Sequence, residues 1–495
     1  MLSEPDYYSM HFVMSGLNQT FKIHLKLLPY YLFYTLIVLL VMNTPFFWDK
    51  DVIISKRAFW FTENSFNLNL PNTYDNGYLP VLSLLLAFLW KVFGKSLYTG
   101  HLLMLPFALG LIYQLQRFLG FLSPDKRFIN FSLILLLTDT VLLSQIVVVS
   151  NDLILIFLFF LSLNAIVYNK RNRLYYIILV LSLSHLRGVI ACLIVFVFDI
   201  SYAHLKAKDT GNILRKSFVI IPQYLPAVLI FLAYQIFHYI QTGWIMTHKS
   251  SPWAGCFEVV NMRGFLFNTG ILLWRLVDFG RVFFWIILIF ALAGLLRRKT
   301  HIDTNIRLLN ILIITSALLL FPEMLIYKVL SSHRYLLPLL LSVTILTTYI
   351  LFVKSGRPHL AKAVFMILLI SMVSGYFWIY PDKIAKGWDS TIAHLPYHHV
   401  RKQMIAYIEK EHIPFSEIGS DVPNISPQKY LDLTGDERQF HLKDLDKDRF
   451  VFYSNIFNMF TDKEIDDLKN QWTLVKEYRC IQVKAQLYKR PEAGP

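Results

Sequence analysis

Two acids flank a lysine in "FFWDKDVIISKR" (46–57), where Asp49 and Asp51 follow a helix-length apolar run that includes "LFYTLIVLLVM". A third acid, Asp152, stands in "VVSNDL", at a tight turn between two apolar runs. Two arginines, Arg187 in "SHLRGV" and Arg334 in "SSHRYLLP", mark the edges of others. A carboxylate can take a proton from a hydroxyl while that oxygen attacks an activated carbon, provided the departing group is stabilised as an anion. A guanidinium fork suits phosphate oxygens, with charge-assisted contacts worth about 1.5–3 kcal/mol each. Taken singly, each residue has a plainer account. An acid beyond a span is a solvated end, Asp152 in "SND" suits a helix cap, and arginines at helix ends snorkel. Asp139, inside "LLLTDTVLL", is costly at such depth unless paired, and is expected to be a structural hydrogen-bond partner.

The elements that must position these residues are apolar helices. The chain has 495 residues, 55% of them hydrophobic, with 40 Phe and 27 Tyr, against roughly 45–50% apolar usage in soluble proteins. This is the composition of an α-helical polytopic membrane protein. The net charge of +15 lies in short Lys/Arg clusters between apolar runs, a pattern that orients membrane helices, and no nucleic-acid partner is expected. Runs of the length needed to cross a roughly 30 Å core lie near 28–47, 100–119, 128–149, 217–240, 271–296, 307–330, 334–353 and 361–380, with shorter ones at 79–93, 153–168 and 174–200. Six basic loops, "NKRNR" and "KSGRPHLAK" among them, can share the cytoplasmic side under two conditions: 79–93 lies along the membrane, and 174–200 is a hairpin of short helices with Arg187 at its apex. The expectation is then about 11 membrane-embedded helices plus a juxtamembrane helix, with the N-terminus cytoplasmic. The acids and arginines singled out above share the other face. The transmembrane domain is expected over 1–381, with an outer loop at 48–78 and the juxtamembrane helix at 79–93. After Pro381, helix-like stretches mixed with strand-like ones such as "RFVFYS" predict an extracytoplasmic soluble α/β domain over 382–495.

The order of first span, acidic outer loop, juxtamembrane helix, acid at a second outer turn, late "RYLLP" and outer C-terminal domain resembles the GT-C glycosyltransferases. Over about residues 25–350 it looks closest to the bacterial protein O-mannosyltransferase and aminoarabinose transferase branch (glycosyltransferase family 39). The resemblance implies a GT-C-like fold. It also implies transfer, with inversion, of a monosaccharide from a polyprenyl-phosphate donor to a lipid, glycan or protein acceptor outside a bacterial inner membrane. Carried over by position, the family's first-loop catalytic aspartate matches Asp51 as general base, with Asp49 as its rival, and its second-loop aspartate matches Asp152. A basic residue followed by glycine matches Arg187, and the late Arg-Tyr matches Arg334 and Tyr335 as a phosphate clamp. "YDNGYLP" keeps Asp75 and Gly77 of a family motif but carries Tyr78 and Leu79 where His-Pro is usual, leaving Asp75 and Tyr78 as candidate substrate contacts. Some relatives bind a divalent metal, which the three loop carboxylates could hold. No His or Cys ligand spacing accompanies them, "YHH" (397–399) reads as surface, and no metal or cofactor is expected. A lipid-linked glycan transporter or flippase, or a polysaccharide polymerase or ligase, is the alternative. Transporters tend to show repeats or broken midplane helices, whereas no repeat is evident in the sequence and the acids cluster at one face.

Overall fold

The computed structural model describes residues 4–206, 213–250, 254–297, 302–328, 331–378, 380, 382 and 388–491, and the side chains of 4–21, 51, 213–217 and 296 fall outside that description. Apolar runs become helices because no water in hydrocarbon can satisfy a free backbone. The first, α1 (Glu4–Val41), carries its apolar span over Lys22–Val41. It stops six residues short of the expected 47 because Thr44 precedes Pro45, and a residue before proline is pushed out of the helical region. A π-helical turn (Asp51–Lys56) leads into α2 (Arg57–Glu63), and the outer loop then reaches α3 (Val81–Phe93). At 13 residues, α3 is about 20 Å long and too short to cross. It buries Leu82, Leu86 and Trp90 and exposes Phe88, Val92 and Phe93, which suits a helix lying between bundle and membrane surface.

Unbroken α4 (Leu97–Leu122) follows, but the expected run at 128–149 is bent by 57° between α5 (Lys126–Leu137) and α6 (Thr140–Val147). Asp139 ends one helix and starts the next. Its carboxylate accepts from the N–H groups of Val141 and Leu142 and pairs with Arg281 at 2.5 Å. After α7 (Asn151–Val167), α8 (Arg171–Ser184) and α9 (Leu186–Lys206) form a hairpin as expected, but α9, at 21 residues, is long enough to cross instead of being the short helix expected. Cys192 donates to the Ile178 carbonyl and Arg171 pairs with Asp199, each pair equidistant from the break at His185. The turn is tight enough that a Cβ on Gly188 would stand 2.0 Å from the Leu181 carbonyl oxygen.

Beyond α10 (Ile213–Thr242), the expected run at 271–296 also proves to be two helices, α11 (Met262–Val277) and α12 (Val282–Arg297), bent by 81°. A straight helix does not continue because Phe279 and Gly280 take left-handed backbone (φ 51° and 83°), and Asp278 and Arg281 flank them. The bundle closes with α13 (Thr304–Ile326), α14 (Leu337–Tyr349, within an apolar stretch over His333–Lys354) and α15 (Pro358–Ser374). Among the described residues, seven helices are long and apolar enough to cross a membrane, nine if each bent pair is one span. The shorter α7 and α8 pack among them, against an expectation of about 11 embedded helices.

The C-terminal part is α/β, as expected. Its strands are β1 (Ile418–Ser420), β2 (His441–Leu442), β3 (Phe450–Ser454), β4 (Thr473–Cys480) and β5 (Val483–Lys489), in the order β2-β1-β3-β5-β4. β1 runs parallel to β2 and β3, and β5 is antiparallel to β3 and β4. α16 (Pro396–Lys410) packs across β4 and β5, with α17 (Gln428–Leu431) and α18 (Asp462–Gln471) at the flanks. The expected boundary at 381 lies outside the described residues. The domain's core is shared with the bundle, since Val41, Phe47, Val147 and Val148 pack into it. For that reason "YHH" is not a surface motif: Tyr397 is buried, His398 is half-buried beside Phe47, and only His399 is exposed.

Asp139→Ala would strand the Arg281 guanidinium, which is 3% exposed, at an expected cost of about 3–5 kcal/mol. The paired replacement Asp139→Leu with Arg281→Met should recover much of that loss. Thermal unfolding of the detergent-solubilised chain measures both, and equal melting of single and double variants would contradict the pairing.

Candidate active site

The turn after α1 is held from both sides. Phe46 N–H donates to the Leu431 carbonyl at 3.1 Å, and the Phe47 ring stacks on His394 of the C-terminal domain, centroids 4.0 Å apart. Trp48 then takes a left-handed conformation (φ 63°), costly for a bulky residue, and swings Asp49 and Lys50 inward. Lys50 is 4% exposed, and its ammonium donates to Asp49 at 2.6 Å. The outer loop is clamped by α10. His238 pairs with Asp75 at 2.9 Å, Asp75 accepts from Gly77 N–H, and Gln235 donates to the Gly77 carbonyl. Gly77 itself sits at φ 71°, with Met246 backbone 2.8 Å from where a Cβ would be, so glycine is required there.

Asp152 sits in the first turn of α7, whose N-cap is Ser150 rather than the aspartate. The carboxylate is therefore available, and it accepts from Arg187 at 2.7 Å. Arg187 starts α9 and lies 3.7 Å from the centroid of the Tyr335 ring, a cation–π contact. Arg334 precedes α14 in a short 3-10 turn whose neighbour His333 is anchored on Asp278 at 2.8 Å. Its guanidinium donates to Asp49 at 3.0 Å and lies 3.2 Å from Asp389 and 3.7 Å from Asp152. Asp389 comes from the C-terminal domain. Its backbone carbonyl is fixed by Ser144 and Gln145 of α6, each donating at 2.7 Å.

These groups enclose a cavity of about 100 Å³ lined by Asp49, Lys50, Asp152, Arg187, Arg334 and Tyr335. Asn76, Tyr78, His185, Phe257 and Glu323 also line it. Of the residues singled out from sequence, Asp49, Asp152, Arg187, Arg334, Tyr335 and Tyr78 thus meet. Asp75 is committed to His238 and Gly77 and positions the loop. The side chain of Asp51 lies outside the described residues. Lys50, His185, Glu323 and Asp389 were not anticipated. Glu323 had a signal, a lone acid in the apolar run "LLLFPEMLI", whereas Asp389 in "GWDS" had none. Among the described residues, no group of three or more His, Cys, Asp or Glu side chains is placed to hold a metal.

Burial alone would raise the Asp49 carboxyl, but Arg334 and Lys50 overcome it and hold the group well below the usual carboxylate range. Burial, with the Arg334 charge next, pushes the Lys50 ammonium below its ordinary value. Asp49 is therefore ionised, paired and a weak base as it stands.

No protein-family model and no curated protein matches this chain. Among solved structures, the crystal structure of ArnT from Cupriavidus metallidurans bound to undecaprenyl phosphate aligns with 94% of this chain and 99% of that one, at 10% sequence identity and a TM-score of 0.49. A likeness of that degree carries no functional weight, and the side-chain geometry has to stand by itself.

Because the folded-state pKa of Asp49 is depressed, its stabilising contribution is present above the unfolded value of roughly 3.9 and fades as pH falls below it. The stability gap between the natural chain and Asp49→Asn should therefore be wide at neutral pH and narrow towards pH 3. Melting curves across that range test it, and a gap that widens on acidification would refute the assignment.

Proposed function

We propose that this cavity transfers a monosaccharide from a polyprenyl-phosphate donor to a hydroxyl of a lipid, glycan or protein acceptor, on the extracytoplasmic side of the membrane. The observation that carries the reading is the convergence of Asp49, Asp152, Arg187 and the adjacent pair Arg334 and Tyr335, from four separate segments, on one cavity at the end of the bundle where the C-terminal domain docks. In the proposed step, Asp49 takes the proton of the acceptor hydroxyl. The freed oxygen bonds to the sugar's anomeric carbon, the bond from that carbon to the phosphate oxygen breaks, and lipid phosphate departs as an anion. Attack opposite the leaving group inverts the anomeric centre. Arg334, Arg187 and Lys50 meet the leaving charge. Phosphate bound there competes with Asp49 for Arg334 and Lys50, so seating the donor also restores basicity to the carboxylate.

The bent pairs α5–α6 and α11–α12 are a feature that transporters show. In this chain, however, the charges at both breaks are engaged with one another and with His333, and none is among the residues lining the cavity. That arrangement favours a supporting role for the breaks over an ion pathway.

Membranes containing Asp49→Asn or Asp51→Asn, supplied with a panel of radiolabelled polyprenyl-phosphate monosaccharides, separate base from bystander. Asp49→Asn should slow transfer by about 10²–10⁴-fold, and a loss confined to Asp51→Asn would move the base to that residue. Since Asp49 competes with phosphate, Asp49→Asn should also bind undecaprenyl phosphate more tightly than the natural chain. Undiminished transfer by Asp49→Asn would remove the assignment.

A further inference from the structure

Three polar atoms in the cavity wall take no part in the ion-pair cluster. Glu323 Oε1, Asn76 Oδ1 and Tyr78 Oη are all buried and have no hydrogen-bond partner among the described residues. They come from distant places. Glu323 follows Pro322 in α13, and the other two belong to the outer loop that α10 clamps through Gly77. A buried polar atom without a partner costs free energy, and over 90% of such groups in native structures are satisfied. Three orphans lining one cavity mark the place where a ligand supplies the missing bonds.

The types of atom say which ligand. Asn76 Oδ1 is an acceptor and Tyr78 Oη both donates and accepts. A carboxyl group on Glu323 accepts when ionised and offers a hydroxyl proton when neutral, so in either state it can bind a hydroxyl. Phosphate oxygens, which only accept, suit the arginines and lysine of the same cavity, whereas an amide oxygen and an ionised carboxylate have no proton to give them. Hydroxyl or amino groups on a sugar ring suit the three orphans, and Tyr78 and Phe257 add apolar surface to the same wall.

Resting on the glycosyl transfer proposed above, we infer that Glu323, with Asn76 and Tyr78, holds the sugar of the donor through its hydroxyl or amino groups and so selects which polyprenyl-phosphate monosaccharide the protein uses. A site built to hydrogen-bond a sugar discriminates sharply, because the wrong ring leaves these atoms unpaired again.

The test measures binding of the purified full chain, in lipid nanodiscs, to undecaprenyl phosphate and to the same lipid phosphate carrying glucose, mannose or glucosamine. The natural chain should bind at least one sugar-bearing lipid about tenfold tighter than the bare one. Glu323→Gln should remove most of that preference and leave the affinity for undecaprenyl phosphate unchanged. Tyr78→Phe, which loses only a hydroxyl, should lower the preference severalfold and decides the matter if Glu323→Gln does not fold. Preference confined to glucosamine assigns an amine to the site, while preference shared by glucose or mannose assigns hydroxyls. Undiminished preference in both variants, equal weakening of bare and sugar-bearing lipids, or no preference in the natural chain overturns the inference while leaving the phosphate site intact. Failure of the natural chain to bind any of the four lipids would instead remove the proposed function.

Discussion

Burying a guanidinium is expensive unless it is paired, and Arg334 is paired three times over. Asp49, Asp152 and Asp389 all lie within 4 Å of it. An unpaired charge at that depth costs several kcal/mol, so none of the four can be placed without the others. Arg187 on Asp152 and Lys50 on Asp49 bring the cluster to three acids and three bases. Its neutrality binds together the turn after α1, the starts of α7 and α9, the entry to α14 and the C-terminal domain. Groups held by mutual need keep set positions until an incoming ion offers one of them a new partner.

The second buried network makes the first one buildable. Asp278 holds His333, the residue before Arg334, and accepts from Tyr380 and from Phe279 N–H. Arg275 donates to the Ser331 carbonyl, and Arg281 crosses to Asp139. Each break in a helix frees carbonyls, and those of the α5–α6 break are met from outside: Tyr34 donates to Leu137 and Tyr376 to Thr138. A bend whose orphaned groups are satisfied in this way is stable in hydrocarbon. The two bends thus brace the segment that carries Arg334.

What could be read from the sequence was what periodicity and charge placement encode. Apolar runs located the helices, and basic loops implied the surface-lying α3 and the α8–α9 hairpin. Acids and arginines at run edges named most of the ion-pair cluster. The breaks were not legible, because a long apolar run with one acid scans as a continuous span. What bends it is a partner 142 residues away. Asp389 was invisible for the same reason, since nothing in "GWDS" records that Ser144 and Gln145 fix its backbone beside Arg334. Lys50 drew no reading of its own because its burial depends on the inward swing at Trp48. Asp75 was noticed but is engaged with His238, a contact across 163 residues that spacing does not reveal.

Neutrality also limits how the cluster can receive an anion. A phosphate cannot simply be added to three acids and three bases, because the excess negative charge would sit in a poorly solvated cavity. It must draw a cation away from a carboxylate. The three carboxylates are not equally able to yield, since the side chain of Asp49 is 18% exposed whereas those of Asp152 and Asp389 are each 6% exposed. Asp152 also keeps Arg187 whatever happens at Arg334, and Asp389 is tied through its backbone to α6. Asp49 alone can turn towards water and the acceptor at modest cost. On the glycosyl transfer proposed above, the carboxylate that gives way to the phosphate is therefore the one whose lost contacts had suppressed its basicity, and seating the leaving group would be coupled to the readiness of the base.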